Sequence, residues 1–251
     1  MVSIISLVVQ TAWAFQAAPS GYTAPSVFTA PAAPIEVTPE VRGDVMMAYK
    51  RYRDALDFYK PGAVTSAPLA NKTGIAYQQL LDFDNARRYY EKAIKLRPTY
   101  AEAINNLGTV FFAKKSFRRA IEEYKKALRI HPDSSSILSN LGTAYFARKN
   151  YDEAAKAYQE AVAIDPEVFD NHGTQGTLVQ DQSVEERAKY HYYLAKTFAK
   201  AGTRDRALQY IRKALEEGFK ERERFVKDPE FAMLQDDREF LLIMASEPKV
   251  L

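Results

Sequence analysis

Gly74, Gly108 and Gly142 stand 34 residues apart, and five further columns keep the same spacing. They are Tyr77, Phe111 and Tyr145; Ala86, Ala120 and Ala154; Tyr90, Tyr124 and Tyr158; Ala93, Ala127 and Ala161; and Pro98, Pro132 and Pro166. A chain that repeats itself at this period without insertion builds one supersecondary unit and stacks copies of it. Within the unit, Ile104, Leu107, Phe111 and Phe112 recur at helical spacing. Ser116 opens a second helix, and Asp82 and Asn150 hold the same place in the neighbouring units; all three are side chains that can accept backbone N–H bonds at a helix start. That helix stops at an Arg-Pro, His-Pro or Asp-Pro pair, because proline lacks a donor and restricts the residue before it. Glycine on the first helix and alanine on the second let the two axes approach, and the Tyr and Phe columns fill the space beside them.

These columns resemble the tetratricopeptide repeat family. The middle unit, 101–134, carries Ile104, Leu107, Gly108, Phe111, Ala120, Tyr124, Ala127 and Pro132; the next, 135–168, carries Leu138, Leu141, Gly142, Tyr145, Ala154, Tyr158, Ala161 and Pro166. The first, 67–100, keeps the pattern from Gly74 onward but has Ala70 and Thr73 in the two preceding columns. A degenerate fourth unit, 188–221, places Leu194, Ala195, Phe198, Ala207, Ile211 and Ala214 on the columns, with Thr203 at the cap and Gly218 as its stop. The resemblance implies an all-α, right-handed superhelical solenoid of antiparallel helix pairs, about four repeats with capping helices at the ends.

The flanks differ in composition. Residues 1–14 carry no charged side chain and end in Ala12-Trp13-Ala14, the pattern of an export signal cleaved before Phe15. Five prolines among Ala, Ser and Thr make 15–40 a flexible linker. Residues 41–62 read as one amphipathic capping helix, 169–187 as an insertion loop containing His172, Gly173 and Gly176, and 222–251 as closing helices and tail.

Catalytic chemistry finds little support. There is no cysteine, and His131, His172 and His191 are far apart. The acidic pairs Glu122-Glu123, Glu216-Glu217 and Asp236-Asp237 are adjacent, so on a helix they diverge and suit a solvated face better than acid–base work. No phosphate loop, dinucleotide fingerprint or nucleophile elbow is present. The expectation is a non-enzyme without metal or small-molecule cofactor and without a transmembrane span. Residues 41–134 hold 18 basic and 10 acidic side chains, whereas 135–187 hold 4 and 9. With a net charge of only +3, that asymmetry suits a bipolar protein partner or self-association better than nucleic acid, which stands as the alternative through the basic 41–134 region.

The resemblance also implies a concave ligand face lined by the first helices. Onto it map Asn71, Lys72, Asn105, Asn106, Thr109, Ser139, Asn140, Thr143, Tyr192, Tyr193 and Lys196. Asn106 and Asn140 form a two-rung amide ladder with Thr109 and Thr143 repeating beside it, and amides can pair with the main chain of an extended peptide whatever its sequence. The family's clamp for a terminal carboxylate needs basic groups where this chain has Ser136 and Asn140. The expected function is a protein- or peptide-binding adaptor, exported to a bacterial-type envelope or secreted; without a working signal segment it becomes a cytoplasmic assembly cofactor.

Overall fold

The glycine and tyrosine columns meet each other across helix pairs. In a computed structural model that describes residues 37–170 and 183–246, α1 (Pro39–Ala48) and α2 (Tyr52–Tyr59) come first. They are followed by α3 (Ala67–Gln79), α4 (Phe83–Leu96), α5 (Ala101–Ala113), α6 (Phe117–Ile130), α7 (Ser135–Ala147) and α8 (Tyr151–Ile164). Next come α9 (Val184–Lys200), α10 (Arg204–Glu216), the short α11 (Arg224–Lys227), a 3-10 turn at Pro229–Leu234 and α12 (Arg238–Ala245). Consecutive helices pack against each other, and α3, α5 and α7 also touch in series, so the molecule is an all-α stack of helix pairs. The export segment 1–14, most of the linker, and His172, Gly173 and Gly176 lie outside the described residues.

The contact that closes each pair is a tyrosine ring laid on a glycine. A Cβ added at Gly108 would sit 2.6 Å from Tyr124 Cε1, and Gly74 and Gly142 stand in the same relation to Tyr90 and Tyr158. Those three rings are fully buried, as are Ala86, Ala120 and Ala154 beside them. The fourth pair solves the problem differently. Ala195 replaces the glycine and Ile211 the tyrosine, so the added methyl is matched by the smaller partner; both are fully buried.

Two boundaries need correction. The linker does not reach residue 40: Thr38 caps a helix, accepting a bond from Val41 N at 3.3 Å, and Pro39 begins it. Nor is 41–62 a single helix. Lys50 adopts φ 57, and the N–H groups of Lys50 and Arg51 bond back to Met47 O and Met46 O, ending α1 and reversing the chain into α2. Gly43 then faces Tyr59 as Gly108 faces Tyr124, and Ala55 is buried at the position of Ala120. This is a fifth pair, in register with the others inside itself but three residues closer to the next than the period allows.

Of the cap residues read from the sequence, Asp82 makes the bond, to Asn85 N at 3.1 Å. Ser116, Asn150 and Thr203 stand at helix starts without a side-chain cap bond. Beyond the last pair, Gly218 with φ 82 ends α10, and Phe219, Phe225, Phe231 and Phe240 pack as one continued core.

Candidate functional site

Along α3, α5 and α7 the four asparagines form a directed chain of amides. Asn140 Nδ2 donates to Asn105 Oδ1 at 3.0 Å, Asn105 Nδ2 to Asn106 Oδ1 at 3.5 Å, and Asn106 Nδ2 to Asn71 Oδ1 at 3.0 Å. The rungs therefore join residues 35 apart, not the Asn106–Asn140 pair expected at 34. Asn71 and Asn140 are buried and Asn105 and Asn106 half-buried. Each of the latter two spends one N–H and one lone pair on the row and keeps one of each. At the end of the row, Asn140 Oδ1 is buried with no hydrogen-bond partner among the described residues.

The hydroxyls expected beside this row turn inward. Thr109 and Thr143 are buried; they donate to Asn105 O at 3.3 Å and Ser139 O at 2.9 Å, and receive the Tyr124 and Tyr158 hydroxyls at 3.3 and 3.4 Å. Burial drives both tyrosine pKa values upward, so the phenols stay neutral donors. Ser139, also buried, donates to Ser136 O at 2.9 Å. These three are corrections to the expected lining: immediate neighbours of the glycine column, and Ser139 one turn before it, face the pair's own core.

The ends of the predicted face are occupied by the chain itself. Lys72 is paired with Glu40 and Asp44 of α1, each at 2.7 Å. Tyr192, expected as an exposed anchor, is fully buried: it stacks on Phe219 at 4.6 Å, carries Arg224 at 4.6 Å over its ring, and donates its hydroxyl to Asp228. Lys196 pairs with Asp228 at 3.1 Å and Glu230 at 3.2 Å. Phe112 and Phe146, which lie near the expected groove in sequence, are likewise buried. Tyr193 stays half-buried, stacked on Tyr151 at 5.1 Å, with Lys189 Nζ 4.0 Å above the Tyr151 ring. Tyr151 and Lys189 complete that cluster and were absent from the expected face; Lys189 lies one helical turn before Tyr193, which is the signal that could have found it.

The stacked pairs agree with an independent match. The family model described as "Tetratricopeptide repeat" fits residues 65–133 and again 99–167. Residues 65–167 are tetratricopeptide repeats. Among solved structures similar to it, MamA from Desulfovibrio magneticus RS-1, residues 41 to the end, is 21% identical with a TM-score of 0.50, covering 71% of this chain and 92% of that one. Another MamA crystal structure is 22% identical with a TM-score of 0.49, over 70% of this chain and 93% of its own. YrrB, titled a TPR protein with an unusual peptide-binding site, is 18% identical with a TM-score of 0.47, over 72% and 84%. At these identities the likeness concerns the fold. No curated protein matches the chain.

Of the expected face, what stays accessible and unspent on the first helices is thus amide and aromatic: Asn105, Asn106 and Tyr193. Among the described residues no group of His, Asp and Glu could hold a metal ion, and no helix is long and apolar enough to cross a membrane. His191 lies 2.8 Å from Glu217 at the start of the fourth repeat, where burial lowers its pKa and favours the neutral ring.

Proposed function

We propose that this chain is a non-catalytic adaptor that takes an extended peptide or protein segment along the amide row of α3, α5 and α7. One observation carries the reading: Asn105 and Asn106 are held in place by the row yet each keeps one donor and one acceptor on a half-buried surface. A fixed donor–acceptor pair of this kind matches a peptide unit of main chain and costs little ordering on binding. Specificity would come from the Tyr151–Tyr193–Lys189 cluster at one end, where an aromatic or acidic side chain finds a partner. The apolar opening segment 1–14 supports an exported or envelope setting for this binding.

Crosslinking in the native host, followed by recovery of partners, tests both parts. Asn106→Ala with Asn140→Ala removes a rung at each end of the row. Partner recovery is expected to fall at least about tenfold, the scale of one or two lost hydrogen bonds, with circular dichroism unchanged. Equal recovery by wild type and double variant sinks the amide row as the binding face. Fractionating the same cells decides the setting: a cytoplasmic pool retaining Met1 sinks the export half.

A further inference from the structure

The turns that join first to second helix in each pair lie along one edge of the stack. All five close identically: the second residue after the first helix takes left-handed backbone, and its N–H and the next bond back into the last helical turn. Gly202 holds that position in the last pair, but the other four carry Lys50, Leu81, Lys115 and Lys149, at φ 57, 60, 56 and 63. A side chain in this conformation crowds its own carbonyl, a strain glycine avoids. Three lysines are therefore kept where the backbone would prefer none.

Their surroundings sharpen the point. Each lysine has a second basic residue beside it in the turn: Arg51, Lys114 and Arg148. Lys50, Lys115 and Arg148 make no ion pair among the described residues, whereas Arg51, Lys114 and Lys149 have Asp54, Asp84 and Glu186 near them. Tyr49 and Leu81, 75% and 70% exposed, are the most exposed large apolar residues described, and both sit in these same turns. Nothing in the packing of the pairs calls for them to point outward.

We propose that this turn edge docks on an anionic lipid surface. The ammonium and guanidinium groups would meet headgroup phosphates, while Tyr49 and Leu81 enter the boundary between headgroups and acyl chains. A nucleic acid would also be met by the basic groups, but an aliphatic side chain such as Leu81 offers it no stacking partner, and that favours the lipid surface.

The left-handed positions allow a test that separates binding from folding. Lys50→Gly, Lys115→Gly and Lys149→Gly together remove three charges while relaxing the backbone, so Tm should hold or rise. The full-length chain is sedimented with phosphatidylcholine vesicles, with and without phosphatidylglycerol, at low and high salt. Wild type is expected to bind only the anionic vesicles and to be released by salt, and the triple glycine variant to bind more than about tenfold more weakly. Tyr49→Ser with Leu81→Ser should weaken binding without changing its salt dependence. The proposal is overturned if wild type ignores the anionic vesicles or binds neutral ones equally. It is also overturned if the triple variant binds like wild type, since every variant keeps residues 1–14 and attachment would then reside there. Retention of duplex DNA more tightly than vesicles at the same salt assigns the edge to nucleic acid and overturns it too.

Discussion

At Gly108 the backbone of α5 and the ring of Tyr124 share a space that one added carbon would fill. Tyr124 is fully buried and its hydroxyl is tied to Thr109, so the ring cannot retreat. Gly108→Ala is expected to cost about 1–3 kcal/mol in urea unfolding, the usual penalty of overpacking. The chain itself supplies the compensating change, because its fourth pair holds alanine opposite isoleucine. Gly108→Ala with Tyr124→Ile should therefore recover part of the loss; a double variant no better than the sum of its singles contradicts the ring-on-glycine account. The columns themselves were legible in the sequence, because their period is that of the unit. The direction of Thr109 and Thr143 was not. They follow the glycine, and whether such a hydroxyl faces a groove or a tyrosine depends on the ring that the second helix lays there, which spacing alone does not reveal.

At the scale of elements, the two ends of the array are tied down by the same trio. Tyr59 donates to Asp44 at 2.6 Å while Lys72 pairs with it, and at the other end Tyr192 donates to Asp228 while Lys196 pairs with it. In both cases a lysine and a tyrosine hydroxyl converge on one aspartate, which explains why Lys72, Tyr192 and Lys196 read as ligand residues from position alone and are spent internally. Burial acts to raise the Asp228 carboxyl, but the bonds from Tyr192 and Lys196 outweigh it and its pKa is lowered. A carboxylate favoured in the folded state contributes stability above its unfolded pKa, near 3.8, and loses it as pH falls through the lower folded value. Asp228→Asn should cost about 1–3 kcal/mol at neutral pH, and its deficit against wild type should shrink below about pH 4. Parallel chemical denaturation at the two pH values measures this, and a deficit independent of pH denies the carboxylate its role. The first pair, α1 with α2, escaped notice for a different reason. Its Gly43, Ala55 and Tyr59 keep the internal offsets of the other units, but the connection to α3 is three residues short, so a search at fixed period slides past it.

The described residues form a row of neighbours: their main contacts run between consecutive helices and between first helices of adjacent pairs. Stability in such an array is a sum of pair and interface contributions, so damage at one end should stay there. The closing segment shows what the last interface is worth. Phe225, Phe231, Leu234 and Phe240 are buried against the fourth pair, with Arg204 holding Asp237 at 2.6 Å and Glu239 at 3.0 Å. Ending the chain after Lys220 would uncover Tyr192 and Phe219, which no preceding pair can cover. Amide exchange followed by mass spectrometry should then show α9 and α10 losing protection by orders of magnitude while α5 and α6 keep theirs. Uniform loss along all helices would mean that the array unfolds as one cooperative body, and the additive account would fail. The amide row gives the same experiment a second use: Asn71, Asn105, Asn106 and Asn140 lie upstream of the damaged end, whereas Lys189 and Tyr193 lie on α9 within it, so a truncated chain whose α5 and α6 stay protected should still take up peptide main chain but lose the selectivity that the Tyr151–Tyr193–Lys189 cluster gives.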